Sequence, residues 1–280
     1  LPFEPAATRA RSDFGMVAAG SPEASDAAVK ILERGGNAVD AAVAAALMLG
    51  VADPDASGLG GMTSMVIRLA DGRVRVIDGS SPTPREVDPS RLQTLAGTGI
   101  VVGHAWAAVP TTLAVLDMAR SRYGTMSRAT LRGPSRDSAE HGHLVKQVQK
   151  IWTNHYLEEI LASRFLRMTA LVNGAGLLQP GDVVCRPDLA RTLRHIARYG
   201  ATTFYRGPIA DLIEADMIRS GGFIRKTDLA MLRVKDVYPI HTTYRKTNVF
   251  TIPQPGGGSS VIEALNILEK FPGEFLAEDT

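Results

Sequence analysis

Residues 15–79 read GMVAAGSPEASDAAVKILERGGNAVDAAVAAALMLGVADPDASGLGGMTSMVIRLADGRVRVIDG. The order is helix, helix, glycine-rich loop, strand, turn, strand. Ser21 caps a first helix, with Pro22 in its first turn and Glu23 near the positive helix end. Ala24, Ala27, Ala28, Ile31 and Leu32 recur at helical spacing, and Gly35 and Gly36 stop the helix. Asn37 then caps a second helix, Ala38 to Leu49, polar only at Asp40. A helix so rich in alanine is narrow and suits close packing, which places it in the core. The loop SGLGG (57–61) leads to strands over 62–69 and 73–78. A tight Asp71-Gly72 turn between them makes a hairpin.

Outward from this stretch, residues 1–13 read as an extended arm and 80–103 as a polar, Pro-containing connection. Pro110 opens a helix that runs to about Tyr123 and ends at Gly124. Residues 132–143 read as a mobile loop around Gly133-Pro134. A helical pattern with basic and aromatic residues covers 144–168, including Arg164 and Phe165. Helices follow at about 188–199 and 207–219, a strand pair at 237–252, and a last helix from Ser259 to Lys270. There is no internal repeat and no domain-splitting linker, so 1–280 reads as a single domain. Helices and strands mix without regular βαβ alternation, which argues for an α+β fold.

The composition excludes several classes. Lys and Arg number 31 against 29 Asp and Glu, for a net charge of +2, so no basic footprint for nucleic acid shows. No apolar run is long enough to span a membrane, and residues 1–14 lack the form of a signal peptide. The protein reads as soluble, with the compartment open between cytoplasm and periplasm or secretion. The lone Cys185 excludes an internal disulfide and a Cys-based metal site, and reads as a small buried hydrophobe.

Other candidate sites favour plain readings. SGLGG lacks a dinucleotide loop's sixth-position glycine, which is Thr63 here, and precedes a strand. Its glycines read as positions of positive φ or close backbone approach. His141 and His143 in a solvated loop, with His155 beyond, lack the carboxylate or Cys cluster of a metal site. The basic stretch 144–168 reads as one amphipathic helix with a solvated face. Thr111-Thr112 and Thr242-Thr243 read as a helix start and a strand.

The run GGNAVDAAVAAAL, then SGLGG, then a hairpin closing in Asp78-Gly79 resembles the start of the large subunit of the gamma-glutamyltransferases, also called gamma-glutamyl transpeptidases. These belong to the N-terminal nucleophile hydrolase superfamily. AAVPTTLAVLDMARSRYG (107–124), GDVVCRPDLARTLRHIARYGATTFYRGPIADLI (181–213) and YRKTNVFTIPQPGGGSSVIEALNIL (244–268) extend the likeness in order, and it thins over 128–178. It implies the αββα sandwich of the superfamily, with this chain supplying the large-subunit part, and the SGLGG loop beneath the active site.

The resemblance also implies the chemistry. A threonine at a freshly made N-terminus attacks an acyl carbonyl, with its own α-amino group as base. No Thr-Thr-His motif occurs in this sequence, so no catalytic residue is expected on this chain. A small subunit from the same precursor is expected to carry the threonine, with more chain after Thr280. No cofactor, metal, nucleic acid or membrane span is implied; the partners are that subunit and a small-molecule acyl substrate. In the family an arginine directly after the Asp-Gly of the second strand grips the α-carboxylate of the γ-glutamyl group. Ser80 stands at that position, followed by Ser81, with Arg85 five residues on. These three are the candidate substrate-binding residues, and the change implies altered acyl-pocket specificity. Two other functions fit the same features: a secondary-metabolism homologue that cleaves a carbon–carbon bond next to a carbonyl, or a non-catalytic scaffold subunit.

Overall fold

The computed structural model describes residues 11–97, 103–163, 166–167, 170–172 and 176–272. The chain forms two compact units, each assembled from two stretches of sequence. The first holds the residues up to Gly58 together with Arg120–Thr203; the second holds Leu59–Ala119 and the chain from Phe204 onward.

In the first unit, α1 (Pro22–Glu33) and α2 (Ala38–Ala52) pack against each other. Ser21 Oγ accepts from the Ala24 N–H at 3.2 Å, and Ala24, Ala27, Ala28 and Ile31 are buried on one face of α1. Asn37 caps α2: its Oδ1 accepts from the Val39 and Asp40 N–H groups, while its own N–H donates to Asp40 Oδ2 at 3.1 Å. Asp40 is fully buried, and its carboxylate also accepts from Thr125 N–H, Thr125 Oγ1–H and Met126 N–H. The one polar residue of α2 therefore ties it to the chain that follows Gly124.

Four expectations fail in this unit. Residues 132–143 are not a loop: a helix spans Arg128–His141, with Pro134 inside it. Leu131, Ser135 and Ala139, spaced by four, are buried on one face, and the helix packs on α2 and on the helix Pro187–Tyr199. That packing outweighs the hydrogen bond Pro134 removes. His143 is not solvated; it is buried in a short antiparallel pairing of His143–Leu144 with Val183–Val184. Cys185, read as buried, is exposed just past that pairing. The helical pattern over 144–168 divides into Gln147–His155 and Leu157–Ala162, and Arg164 and Phe165 lie outside the described residues.

The second unit holds an antiparallel sheet in the order β1 (Met65–Arg68), β2 (Val74–Asp78), Lys235–Val237. Gly72, at φ +86°, makes the tight turn between β1 and β2. Ile67, Val76 and Ile77 are buried, and Arg75 pairs with the nearly buried Asp236 of the third strand at 2.6 Å. The strand pair expected over 237–252 is a hairpin, Ile240–Tyr244 with Thr247–Thr251, turned by Arg245 and Lys246 at φ 47° and 66°. Lys235–Val237 instead joins β2. The helix Gly258–Leu268 packs on the hairpin. The connection over 80–103 contains a helix, Pro89–Gly97, with no buried residue and so no apolar stripe to announce it. The fold is α+β.

Candidate active site

The site grows from the end of β2. After Asp78 the chain turns at Gly79, which is buried. A Cβ there would lie 2.0 Å from the Thr63 carbonyl oxygen and 2.3 Å from Val115 Cγ2, so no side chain fits. The Gly79 carbonyl accepts from Thr111 Oγ1 at 2.5 Å. The Thr111 and Thr112 N–H groups donate to the Gly61 carbonyl at 2.9 and 3.1 Å, which caps the helix Thr112–Tyr123. Thr63 Oγ1 and Thr112 Oγ1 lie 2.9 Å apart. The pair Thr111-Thr112 is thus a clasp that holds the end of the glycine loop and the Gly79 turn on one helix start. The close backbone approach expected of the SGLGG glycines is seen at Gly58, whose Cα would lie 3.2 Å from a Cβ added at Gly50, although a Cβ on Gly58 or Gly60 itself would meet nothing within 4 Å; the tighter fit is at Gly79.

Ser80 is half-buried. Its N–H and its hydroxyl both donate to Asp78 Oδ1, at 2.9 and 2.6 Å. The hydroxyl proton is therefore committed, and Ser80 presents lone pairs to the cavity beside it. That cavity has a volume of about 380 Å³, and Asp78, Ser80, Arg85, Asp228, Arg233 and Lys235 give it its charge and polarity. Ser81 turns away: its hydroxyl donates to the Val109 carbonyl, and Val109 N–H donates to the Pro82 carbonyl at 3.2 Å. Arg85 is exposed on the cavity, and its backbone N–H donates to Asp228 Oδ1 at 3.1 Å. Asp228 is 6% exposed, and its Oδ2 accepts from the Arg225 N–H at 2.9 Å, which caps the helix Lys226–Met231.

The structure thus places Ser80 and Arg85 on one cavity and gives Ser81 to the wall behind it. Asp228 and Lys235 were missed in the sequence. Asp228 carried a faint signal as an acidic residue in the first turn of a short helix, and Lys235 opens a strand whose partner sequence alone does not name. Thr242 and Thr243 lie on the hairpin, donating to Asn266 Oδ1 at 2.6 Å and Asn248 Oδ1 at 3.1 Å. Among the described residues no group of three or more His, Cys, Asp or Glu could hold a metal ion, and no helix is long and apolar enough to cross a membrane.

The family profile described as Gamma-glutamyltranspeptidase matches residues 24–280. The chain belongs to the gamma-glutamyltranspeptidase family. It is 35% identical over 268 residues to a glutathione hydrolase proenzyme of Pseudomonas sp. (strain A14), and 33% identical over 266 residues to the one of Escherichia coli (strain K12). Each match covers 93% of this chain and 46% of the relative, so the chain spans about half the length of these curated relatives. The crystal structure of Helicobacter pylori gamma-glutamyltranspeptidase superposes with a TM-score of 0.90 at 33% identity, over 97% of this chain and 79% of that one. The gamma-glutamyltranspeptidase fold, of the N-terminal nucleophile hydrolase kind, is therefore the fold of this chain, and the match falls on its large-subunit region.

Proposed function

We propose that residues 1–280 are the large-subunit portion of a self-processed hydrolase or acyltransferase, similar to the glutathione hydrolases, with an altered acyl pocket. It acts on an amide or related acyl bond of a small molecule. Family membership over 24–280 supports the enzyme class. One observation carries the altered pocket: Ser80 occupies the position after Asp78-Gly79, lines the cavity, and donates its hydroxyl hydrogen bond to Asp78.

In this reading a threonine that begins the partner small subunit supplies the nucleophile. Its oxygen bonds to the carbonyl carbon while its α-amino group, with an ordinary pKa of about 8, takes the hydroxyl proton. The C–N bond breaks and the amine leaves with that proton. Water, or a second amine, then cleaves the ester and returns a proton to the threonine. Ser80 and Arg85 face the acyl group, and Ser81 pins their turn to Val109.

Kinetics on a γ-glutamyl anilide with the processed full-length protein test this. A charge-assisted hydrogen bond contributes about 1.5–3 kcal/mol, which at ~1.4 kcal/mol per decade is roughly a 10–100-fold difference. Wild type should fall below an arginine-bearing relative by that factor, and Ser80→Arg should recover it. High wild-type activity that collapses in Arg85→Ala overturns the altered pocket. The lack of a companion chain that begins with Thr overturns the enzyme and leaves the scaffold.

A further inference from the structure

Ser80 removes a fixed charge from the acyl pocket, but the pocket is not left without cations. Lys235 opens the strand that pairs with β2, and it is the register partner of Asp78. Register partners in an antiparallel pair put their side chains on one face, with Cβ atoms about 4.5–5.5 Å apart. Lys235 therefore rises beside the Asp78–Ser80 turn and lines the same cavity as Arg85.

The ionic state of the lining separates its charged groups. Asp228 is buried, and both its oxygens are taken by backbone N–H groups. Asp78 Oδ1 accepts twice from Ser80. Arg233 directs its guanidinium to the carbonyls of Ala230 and Leu232, closing the end of the short helix. Arg85 and Lys235 are different: among the described residues neither side chain has a hydrogen bond or ion pair. Three cations against two carboxylates leave the lining with a surplus of positive charge, and two of the cations are available to a ligand.

We infer that Lys235, together with Arg85, is the carboxylate-binding residue of the acyl pocket, which takes an acyl group that bears a carboxylate and no ammonium. This rests on the reading of the cavity as the acyl site. The guanidinium of Arg85 offers a planar pair of donors, and the ammonium of Lys235 adds a point charge on a flexible stem. An ammonium on the ligand would meet those cations, and the one nearby carboxylate on its side is already shared with Ser80.

Titration calorimetry on the full-length gene product separates the cases without requiring turnover. The probes are glutaramate, an amide with a distant carboxylate; glutamine, the same molecule with an α-ammonium; and butyramide, with neither charge. Wild type should bind glutaramate at least 10-fold more tightly than butyramide and more tightly than glutamine. Lys235→Gln should lower the glutaramate-to-butyramide ratio several-fold, Lys235→Gln combined with Arg85→Gln should bring it near one, and Lys235→Arg, which keeps the charge, should retain it. A ratio near one in wild type, or a ratio unchanged by Lys235→Gln, overturns the role of Lys235. Glutamine binding more tightly than glutaramate overturns the exclusion of ammonium. A protein that shows the preference yet hydrolyses no acyl anilide contradicts the hydrolase, not the carboxylate site.

Discussion

The Ser80 hydroxyl donates to Asp78 Oδ1 at 2.6 Å, and the Ser80 N–H donates to the same oxygen at 2.9 Å. One carboxylate oxygen thus fixes both the turn and the direction of the Ser80 side chain. Asp78→Ala removes the acceptor of both donors, at roughly 1.5–3 kcal/mol for hydrogen bonds to a charged group, less what water recovers at this half-buried turn. Urea unfolding should show a loss of about 1–2 kcal/mol, with a raised KM for acyl donors. Asp78→Asn keeps an oxygen in place and should lose less. Equal losses in the two variants would contradict the acceptor role.

The Gly79 turn and the glycine loop should respond differently to one added methyl. At Gly79 the obstacle is backbone, the Thr63 carbonyl oxygen 2.0 Å from the new Cβ, and backbone at the junction of two paired strands has little room to yield. Overpacking costs typically about 1–3 kcal/mol and more where nothing can move, so Gly79→Ala should cost more than about 3 kcal/mol or abolish soluble expression. Gly60→Ala projects into open space and should shift stability by no more than about 0.5 kcal/mol. Thermal melts of the pair check this; comparable Tm values for both would overturn it.

The parts of the fold read from the sequence were those in which a local signal and the tertiary structure agree. Ser21 and Asn37 cap the helices they precede, Asp71-Gly72 turns the hairpin, and the helices expected at about 188–199 and 207–219 are found at Pro187–Tyr199 and Pro208–Ser220. The misses lie where packing across distant sequence decides. Gly133-Pro134 signals a turn, yet Leu131, Ser135 and Ala139 are held helical by neighbours on both sides. The site shows the same division. Ser80 and Arg85 could be named as candidates because they follow Asp78-Gly79, and both line one cavity. Lys235 was not, because its place depends on a strand register that pairs it with Asp78 across more than a hundred residues.

Asp40 is the next test. Burial raises its pKa, but hydrogen bonds from Thr125, Asn37 and Met126 outweigh that and hold the carboxyl below its usual range. Asp40→Asn places an NH2 group among N–H donors and should lose about 1.5–3 kcal/mol at pH 7. A group whose pKa is lower folded than unfolded stabilises above the unfolded value, 3.8, and stops doing so as pH falls through the folded one. The penalty of Asp40→Asn should therefore persist from pH 7 down to about pH 4 and shrink below it. Urea unfolding at pH 7 and pH 3 measures it; a penalty unchanged at pH 3 would show that the charge is not what matters.

His143 should control the acid limb above that range. It is 5% exposed, and among the described residues neither ring nitrogen has a hydrogen-bond partner. Burial and the charge of Arg186 push its pKa from 6.5 to about 4, with Lys146 acting the same way and Glu23 opposing. The fold thus holds the neutral ring. An unfolded chain binds a proton at 6.5 and the folded one does not, so the stability given by the neutral state is whole above pH 6.5 and declines as pH falls from 6.5 towards 4. Glu23, ion-paired with Lys146, is the other titrating neighbour; its carboxyl is lowered below 4.5, so its contribution is lost mainly below this window. His143→Leu removes the proton site together with the two unpartnered ring nitrogens. Its Tm should vary less than that of wild type between pH 7 and 4.5, and should equal or exceed it at pH 5. If the wild-type and His143→Leu curves fall in parallel over that range, the buried histidine is not the source of the acid sensitivity.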